Sequence, residues 1–218
     1  MVTTRLLDLA STLPNSNSFG MKLLDEDGSW ELLSKIVFGE KGCCPLELDE
    51  IGKMISKNCK GLSLSIVVVG GLLAKSKHTR EFWEYIMENL NASVNLEDDE
   101  RYLKILYMSY KQLLVHLKSY FLYTGVYPED ELIKISKPIK FWIAEGFLRP
   151  VSGKNLEEIA KEYLNDLIGR NLLLIDDLDS IGNMKYCKIH DLLRDLCLRE
   201  AKKERFYNTL SDNEAINV

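Results

Sequence analysis

His190 and Asp191 stand side by side where a short extended run gives way to a helical pattern. Behind them, apolar residues recur at helical spacing, at Leu192, Leu193, Leu196, Cys197 and Ala201. Asp191 is therefore expected to be the N-cap of this helix, because its carboxylate can accept free N–H groups of the first turn. His190 would then lie where a helix N-terminus attracts an anion such as phosphate. Taken alone, the stretch favours the plainer interpretation of a capped helix beside a solvated histidine.

The rest of the chain offers little for catalysis. His78 lies in a basic loop and His116 at a predicted helix start, and neither has a partner at a spacing that suits a nucleophile or general acid. The acidic run 97–100 lacks the alternating ligands and the glycine of a calcium loop. The motif GxxxxGK[ST] does not occur in the 218 residues, so we do not expect the chain to hydrolyse ATP or to act as an enzyme by itself.

The composition is that of an ordinary globular protein, with 46% hydrophobic and 28% charged residues. The length suits one large domain or two small ones, each with its own core. A net charge of −5 and a pI near 5.4 argue against nucleic acid or an anionic membrane as the main partner, since both attract basic surfaces.

The cysteines and the apolar runs indicate in which cell compartment the protein is found. Five cysteines without a CxxC or zinc-like spacing are typical of reduced thiols in the cytosol. The longest apolar run, 62–74, is too short to span a bilayer, and no signal peptide opens the sequence. We therefore expect a cytoplasmic protein without direct membrane insertion.

The first half of the chain is predicted to be helical. The run 25–29 would cap one helix, and the next would run over 46–59. The apolar stretch 62–74 suits either a buried strand or a helix buried nearly all round, and its length favours the helix. Thr79 would cap a fourth helix, and the acidic segment 91–100 would form a linker at a subdomain boundary.

The second half follows the order of a winged-helix domain. Helical patterns run over 102–113, 115–123, 139–147 and 156–170, and strand patterns follow over 171–176 and 184–189. Asn155 and Glu158 have the spacing of a capping box at the start of the last of these helices. The expected fold is mainly α, a helical bundle followed by a winged-helix domain with a small β-hairpin.

Binding of DNA by this winged helix is disfavoured by charge. The helix that would enter a DNA groove, 156–170, carries four carboxylates against two basic side chains, namely Glu157, Glu158, Glu162 and Asp166 against Lys161 and Arg170. The hairpin adds Asp176, Asp177 and Asp179. Phosphates would be repelled, so this face is expected to pack against protein.

Five stretches occur in the order of the motifs of one known family: TTR at 3–5, GLSL at 61–64, YFLY through VYPED at 120–130, WIAEGF at 142–147 and IHD at 189–191. They resemble the NB-ARC region of plant intracellular immune receptors, which are nucleotide-binding leucine-rich-repeat proteins. The resemblance is strongest to the coiled-coil class of the late blight resistance type from nightshades, and it covers nearly the whole chain.

The resemblance implies a molecular switch in plant defence and the hypersensitive response. ADP held between the nucleotide-binding subdomain and the two ARC subdomains keeps such a receptor closed, and exchange for ATP opens it into an oligomer. By resemblance, His190 would contact the β-phosphate, Leu62 and Ser63 would line the adenine pocket, and Arg5 would sense the γ-phosphate. Asp191 would hold the loop of His190 and so have a regulatory role.

The resemblance also implies a domain division. Residues 1–20 would be the end of the nucleotide-binding subdomain, 21–95 the ARC1 bundle, 96–203 the winged-helix ARC2 and 204–218 a polar tail. The expected partners are the nucleotide-binding, coiled-coil and leucine-rich-repeat domains of an intact receptor, with no nucleic acid.

Several residues depart from the family pattern. Ser63 and Leu114 replace prolines, Tyr120 replaces cysteine and Ile189 replaces methionine. The chain starts at the sensor strand without a P-loop, as in a partial receptor or truncated gene model, so ADP or ATP is expected to bind it weakly or not at all. A standalone winged-helix module that binds protein is the alternative, with DNA as its less favoured partner.

Overall fold

The computed structural model describes residues 22–92 and 97–206, without the side chains of Asp98 and Asp99. In these ranges the chain forms nine helices and one three-stranded sheet. The predicted segment 1–20, with Arg5, and residues 207–218 of the predicted tail lie outside the described residues.

The first four helices are α1 Glu26–Phe38, α2 Leu46–Asn58, α3 Ser63–Ala74 and α4 Arg80–Asn91. Two predicted caps are confirmed. The Asp25 carboxylate accepts from the N–H of Gly28 at 2.8 Å, and the Thr79 hydroxyl accepts from the N–H of Phe82 at 3.4 Å. Each cap satisfies an N–H group that a helix start leaves unpaired.

Helix α5, Asp98–Lys111, begins inside the acidic segment 91–100. The prediction of a linker is therefore wrong for residues 98–100. Acidic residue types suit the first turn of a helix, where the macrodipole favours negative charge, and this preference outweighs their usual association with loops.

The ambiguous stretch 62–74 is helix α3, as its length predicts. Most of its residues are buried, and it packs along both α1 and α5. A helix with neighbours on several sides has no broad solvent face, which explains why apolar residues run all round it.

The winged helix follows, with α6 Val115–Thr124, β1 Ile133–Lys134, α7 Ser136–Ala144, α8 Leu156–Gly169, β2 Leu174–Leu178, β3 Met184–Lys188 and α9 Asp191–Lys203. The sheet is antiparallel in the order β1-β3-β2. The mainly α fold and the hairpin of β2 and β3 are confirmed. Strand β1 is a new element, because two residues are too few to show a strand pattern.

The capping box at α8 is also confirmed. Glu158 N–H donates to the Asn155 side chain at 2.8 Å, and Asn155 N–H donates to the Glu158 carboxylate at 3.0 Å. These two bonds fix where the helix begins.

The buried apolar residues form two clusters. The bundle cluster takes its largest side chains from α1 to α4, including Trp83, and the winged-helix cluster contains Tyr120, Phe121 and Trp142. Helix α5 belongs to both, with Ile105 and Met108 in the bundle cluster and Leu106 and Tyr110 in the winged-helix cluster. The boundary between residues 95 and 96 stays a prediction.

The cysteines and the helix lengths complete the description of the fold. All five cysteines are free thiols, and Cys59, Cys187 and Cys197 are buried. Burial raises the pKa of Cys59 to about 12 and that of Cys187 to about 11, because a thiolate is poorly solvated inside the protein. None of the helices in the described ranges is long and apolar enough to cross a membrane.

Candidate functional site at the start of helix α9

The N-cap of α9 is His190, and not Asp191 as predicted. His190 has an extended backbone with φ −74° and ψ 143°, and its Nδ1 accepts from the N–H of Leu192 at 3.3 Å. Asp191 is already the first helical residue, so its carboxylate lies in the first turn. The capping prediction was wrong by one residue because the imidazole takes the acceptor role that aspartate usually fills.

This capping bond constrains the chemistry of the imidazole. A nitrogen that accepts a hydrogen bond carries no proton, so the neutral ring has its proton on Nε2. The side chain of His190 is half-buried. In this tautomer the ring is a donor through Nε2, which is the polarity needed to hold a phosphate oxygen.

The residues around His190 hold the corner in place. Ile189 before it and Leu193 after it are buried in the winged-helix cluster. Further along α9, the thiol of Cys197 donates to the carbonyl of Phe121 at 3.2 Å. The position of His190 is thus set by core packing on both sides.

Arg194 is a residue of this corner that the sequence analysis missed. Its Nε donates to the carbonyl of Tyr127 at 2.6 Å, and its guanidinium lies 3.7 Å from the Glu129 carboxylate. These contacts join the helix after IHD to the VYPED segment. A basic residue one turn after the histidine was the available signal, but nothing in the sequence tells which carbonyl it reaches.

Leu62 and Ser63 lie at the start of α3, where Leu62 is the N-cap and is half-buried and Ser63 is exposed. No side chain caps this helix start. Gly61 just before it has φ +71°, and a Cβ there would come within 2.2 Å of the carbonyl oxygen of Leu24. The N–H of Leu24 donates to the carbonyl of Gly61 at 3.0 Å, so the chain before α1 crosses close to Leu62.

The structure therefore builds two helix starts from the predicted site residues. His190 and Asp191 open α9 in the winged helix, and Leu62 and Ser63 open α3 in the bundle. Arg5 lies outside the described residues. Within the described ranges no group of three or more His, Cys, Asp or Glu side chains is placed to hold a metal ion.

A family described as the winged-helix domain of disease resistance proteins matches residues 126–197. Residues 126–197 are therefore similar to the winged-helix domain of disease resistance proteins. The matched range contains the VYPED, WIAEGF and IHD segments and the whole corner around His190.

Relatives from Solanum demissum extend the match beyond the winged helix. The chain is 43% identical over 208 residues to the late blight resistance protein homologue R1B-14. This match covers 94% of this chain and 16% of that protein. It is 41% identical over 220 residues to homologue R1B-16, covering 100% of this chain and 17% of the relative. It is also 41% identical over 208 residues to late blight resistance protein R1-A, covering 94% of this chain and 16% of that protein.

The predicted resemblance to late blight resistance proteins is confirmed by these matches. The chain spans only about a sixth of the length of such relatives, since it covers 16% of R1B-14 and 17% of R1B-16. It is therefore homologous to one region of a disease resistance protein.

Proposed function

We propose that this chain is part of the nucleotide-dependent switch of a plant disease resistance receptor, with His190 as the phosphate sensor. The observation that carries the proposal is the capping bond from Leu192 N–H to His190 Nδ1, because it places the proton of the neutral imidazole on Nε2, a donor of the kind that binds phosphate oxygens. Arg194 adds support, since it ties this corner to the carbonyl of Tyr127.

The other site residues take the roles that the resemblance implies. Leu62, half-buried at the start of α3, would contact the adenine, and the exposed hydroxyl of Ser63 would bond its polar edge. Arg5 would sense the γ-phosphate. Asp191 would act through its negative charge in the first turn of α9, which favours the helix start and so stabilises the loop of His190.

Tight nucleotide binding would need further parts of the receptor. These 218 residues contain no GxxxxGK[ST] motif, so the chain alone would hold ADP or ATP weakly or not at all. In the intact receptor it would contact the nucleotide-binding, coiled-coil and leucine-rich-repeat domains, and it would catalyse no reaction itself. Such a receptor would be cytoplasmic and would form oligomers in defence.

The test is a chimeric receptor in which this chain replaces the aligned region of R1B-14. The chimera would be purified, and its ADP content measured by chromatography after denaturation. We expect the His190→Ala chimera to lose most of its ADP. His116→Ala is the matched control, because His116 is exposed and stacks on Tyr163 with ring centroids 4.7 Å apart. Equal ADP retention in both variants would refute the role of His190.

An interaction module that binds protein is the second candidate. A groove of about 630 Å³ lies between α8, the hairpin turn and the start of α7. Its lining mixes apolar and polar side chains, including Ile139, Leu164, Lys134, Lys161 and Asn183. Such a mixed lining suits a protein segment better than a nucleotide base.

DNA remains the least favoured partner of this groove. Lys161 on α8 lies 3.0 Å from Glu157, and Arg170 directly after α8 lies 3.3 Å from Asp166, so these cations already face carboxylates. A gel-shift experiment at low salt with random duplex should show no retardation. Retardation that disappears as salt is raised would favour the DNA alternative.

A further inference from the structure

Helix α3 belongs to both hydrophobic clusters. Ile66 and Val69 pack in the bundle cluster, whereas Val68 packs in the winged-helix cluster. The same helix begins at Leu62 and Ser63. A change at the start of α3 therefore acts on an element that the winged helix also contacts.

Two adjacent glycines in α3 face different neighbours. A Cβ on Gly70 would meet Cγ2 of Ile36 in α1 at 2.7 Å. A Cβ on Gly71 would meet the carbonyl oxygen of Arg170 at 2.3 Å and its carbonyl carbon at 2.4 Å. Glycine is a poor helix former, so its use at 71 indicates a close approach of the Arg170 backbone, whereas the close neighbour of Gly70 is the side chain of Ile36. Gly71 gives α3 its contact with the corner that follows α8.

Asn171 makes the second contact of this corner. It has a positive φ of 57°, and its side-chain amide donates to the carbonyl of Val67 at 3.1 Å. Val67 is four residues before Gly71, so the α-helical ladder pairs this same carbonyl with the Gly71 N–H. The missing side chain at 71 leaves room for Asn171 to reach the carbonyl as well. Asparagine suits the site because it tolerates positive φ and carries an amide donor.

A lysine covers the edge of the same contact. The ammonium of Lys75 lies 3.9 Å from the Asp166 carboxylate, and a Cβ on Gly169 would meet the Lys75 side chain at 2.6 Å. Both charged side chains are partly exposed, so this ion pair adds little strength. The specific contacts are those of Gly71 and Asn171.

Among the described residues, the winged helix also meets the bundle through α5. Ile105 and Met108 of α5 pack in the bundle cluster, and Leu106 and Tyr110 pack in the winged-helix cluster. This attachment lies on one continuous helix, whereas the corner after α8 meets α3 from a distant part of the chain.

We propose that Val67, Gly71, Arg170 and Asn171 form an α3 latch that docks the winged helix on the bundle and can open, exposing Val68, while the helices of both parts stay folded. The regulatory meaning of the latch rests on the proposed function, because α3 starts at the residues assigned to adenine. The docking itself does not involve nucleotide. An experiment without nucleotide therefore tests the latch separately from the phosphate-sensing role of His190.

The test compares Gly71→Ala with Gly70→Ala in the full chain, since the two variants make the same substitution at neighbouring helix positions. Backbone hydrogen exchange over residues 166–172 and the radius of gyration from X-ray scattering are measured. In Gly71→Ala we expect exchange over 166–172 to rise at least about tenfold and the radius of gyration to increase, with far-UV circular dichroism unchanged. In Gly70→Ala we expect exchange over 166–172 to stay at the wild-type rate.

Asn171→Gly decides the question if Gly71→Ala does not fold. Glycine accepts the positive φ and removes only the amide that reaches Val67, so a rise in exchange of about fivefold over 166–172 is expected. The latch is refuted if Asn171→Gly exchanges like the wild type. It is also refuted if Gly70→Ala opens the corner as much as Gly71→Ala does.

Discussion

At the scale of single residues, His190 has two uses for its two ring nitrogens. Nδ1 accepts from the N–H of Leu192 at 3.3 Å, and this leaves Nε2 as the donor. The same imidazole would thus stabilise α9 and hold a phosphate. A substitution that keeps the capping bond but removes the Nε2 donor can therefore separate the stability of α9 from the binding of phosphate.

His190→Ala should lower the free energy of unfolding by about 1 kcal/mol, because it removes the N-cap acceptor. His190→Asp should restore that loss, since aspartate is a preferred N-cap. Urea denaturation of the chain measures both. In the chimeric receptor, His190→Asp should still lose ADP although it is stable, because a carboxylate has no proton to donate to a phosphate oxygen. Retention of ADP by this variant would show that capping alone explains the histidine.

The buried thiols predict how stability depends on pH. Burial raises the pKa of Cys59 from an ordinary 9.0 to about 12, so above pH 9 the unfolded chain loses this proton first. The contribution is fully present below pH 9 and is lost as pH rises, at about 1.4 kcal/mol per pH unit. Urea midpoints at several pH values above 9 measure the slope, and Cys59→Ala should reduce it by about 1.4 kcal/mol per pH unit. An unchanged slope in Cys59→Ala would show that the thiol does not titrate on unfolding.

At the scale of elements, helix starts explain which predictions succeeded. Asp25, Thr79 and Asn155 are confirmed caps, because a side-chain oxygen that bonds its own next turn is a local event. The start of α9 was misplaced by one residue, since histidine is not a usual cap. The site of Arg194 was not predictable at all, because its acceptor at Tyr127 lies 67 residues away.

Arg194→Ala should lower the free energy of unfolding by about 2 kcal/mol, because it leaves the carbonyl of Tyr127 without its charged donor. Arg194→Lys should recover less than half of this loss, since an ammonium does not reproduce the guanidinium geometry. The exposed Arg80, which pairs with Glu84 at 2.8 Å, provides the control. Arg80→Ala should change stability by no more than about 0.5 kcal/mol in the same denaturation assay. Equal losses in the two alanine variants would mean that Arg194 is only a surface residue.

At the scale of the whole molecule, two clusters share α3 and α5. Trp83 is fully buried in the bundle cluster and Trp142 in the winged-helix cluster, so each cluster has its own fluorescence reporter. Shared helices couple the clusters, and the latch between α3 and the corner after α8 adds to that coupling. The expected behaviour is one cooperative unfolding transition.

The substitution Leu33→Ala tests this coupling. Leu33 is fully buried, so the shorter side chain leaves a cavity in the bundle cluster. It should lower the free energy of unfolding by about 3 kcal/mol. Variants that keep only Trp83 or only Trp142 should report the same shifted midpoint in urea. If the Trp142 reporter keeps the wild-type midpoint, the winged helix unfolds independently and the clusters are not coupled.

The sequence by itself determined the family, the mainly α class, most helix starts and the hairpin, because caps, periodicity and motif order act over a few residues. It also placed His190 and Asp191 at a helix start. Only the tertiary structure decided that His190 is the cap, that Arg194 reaches Tyr127 and that Gly71 admits the backbone of Arg170. These contacts join segments that are far apart in sequence, and a pattern along one segment carries no record of the segment that packs against it.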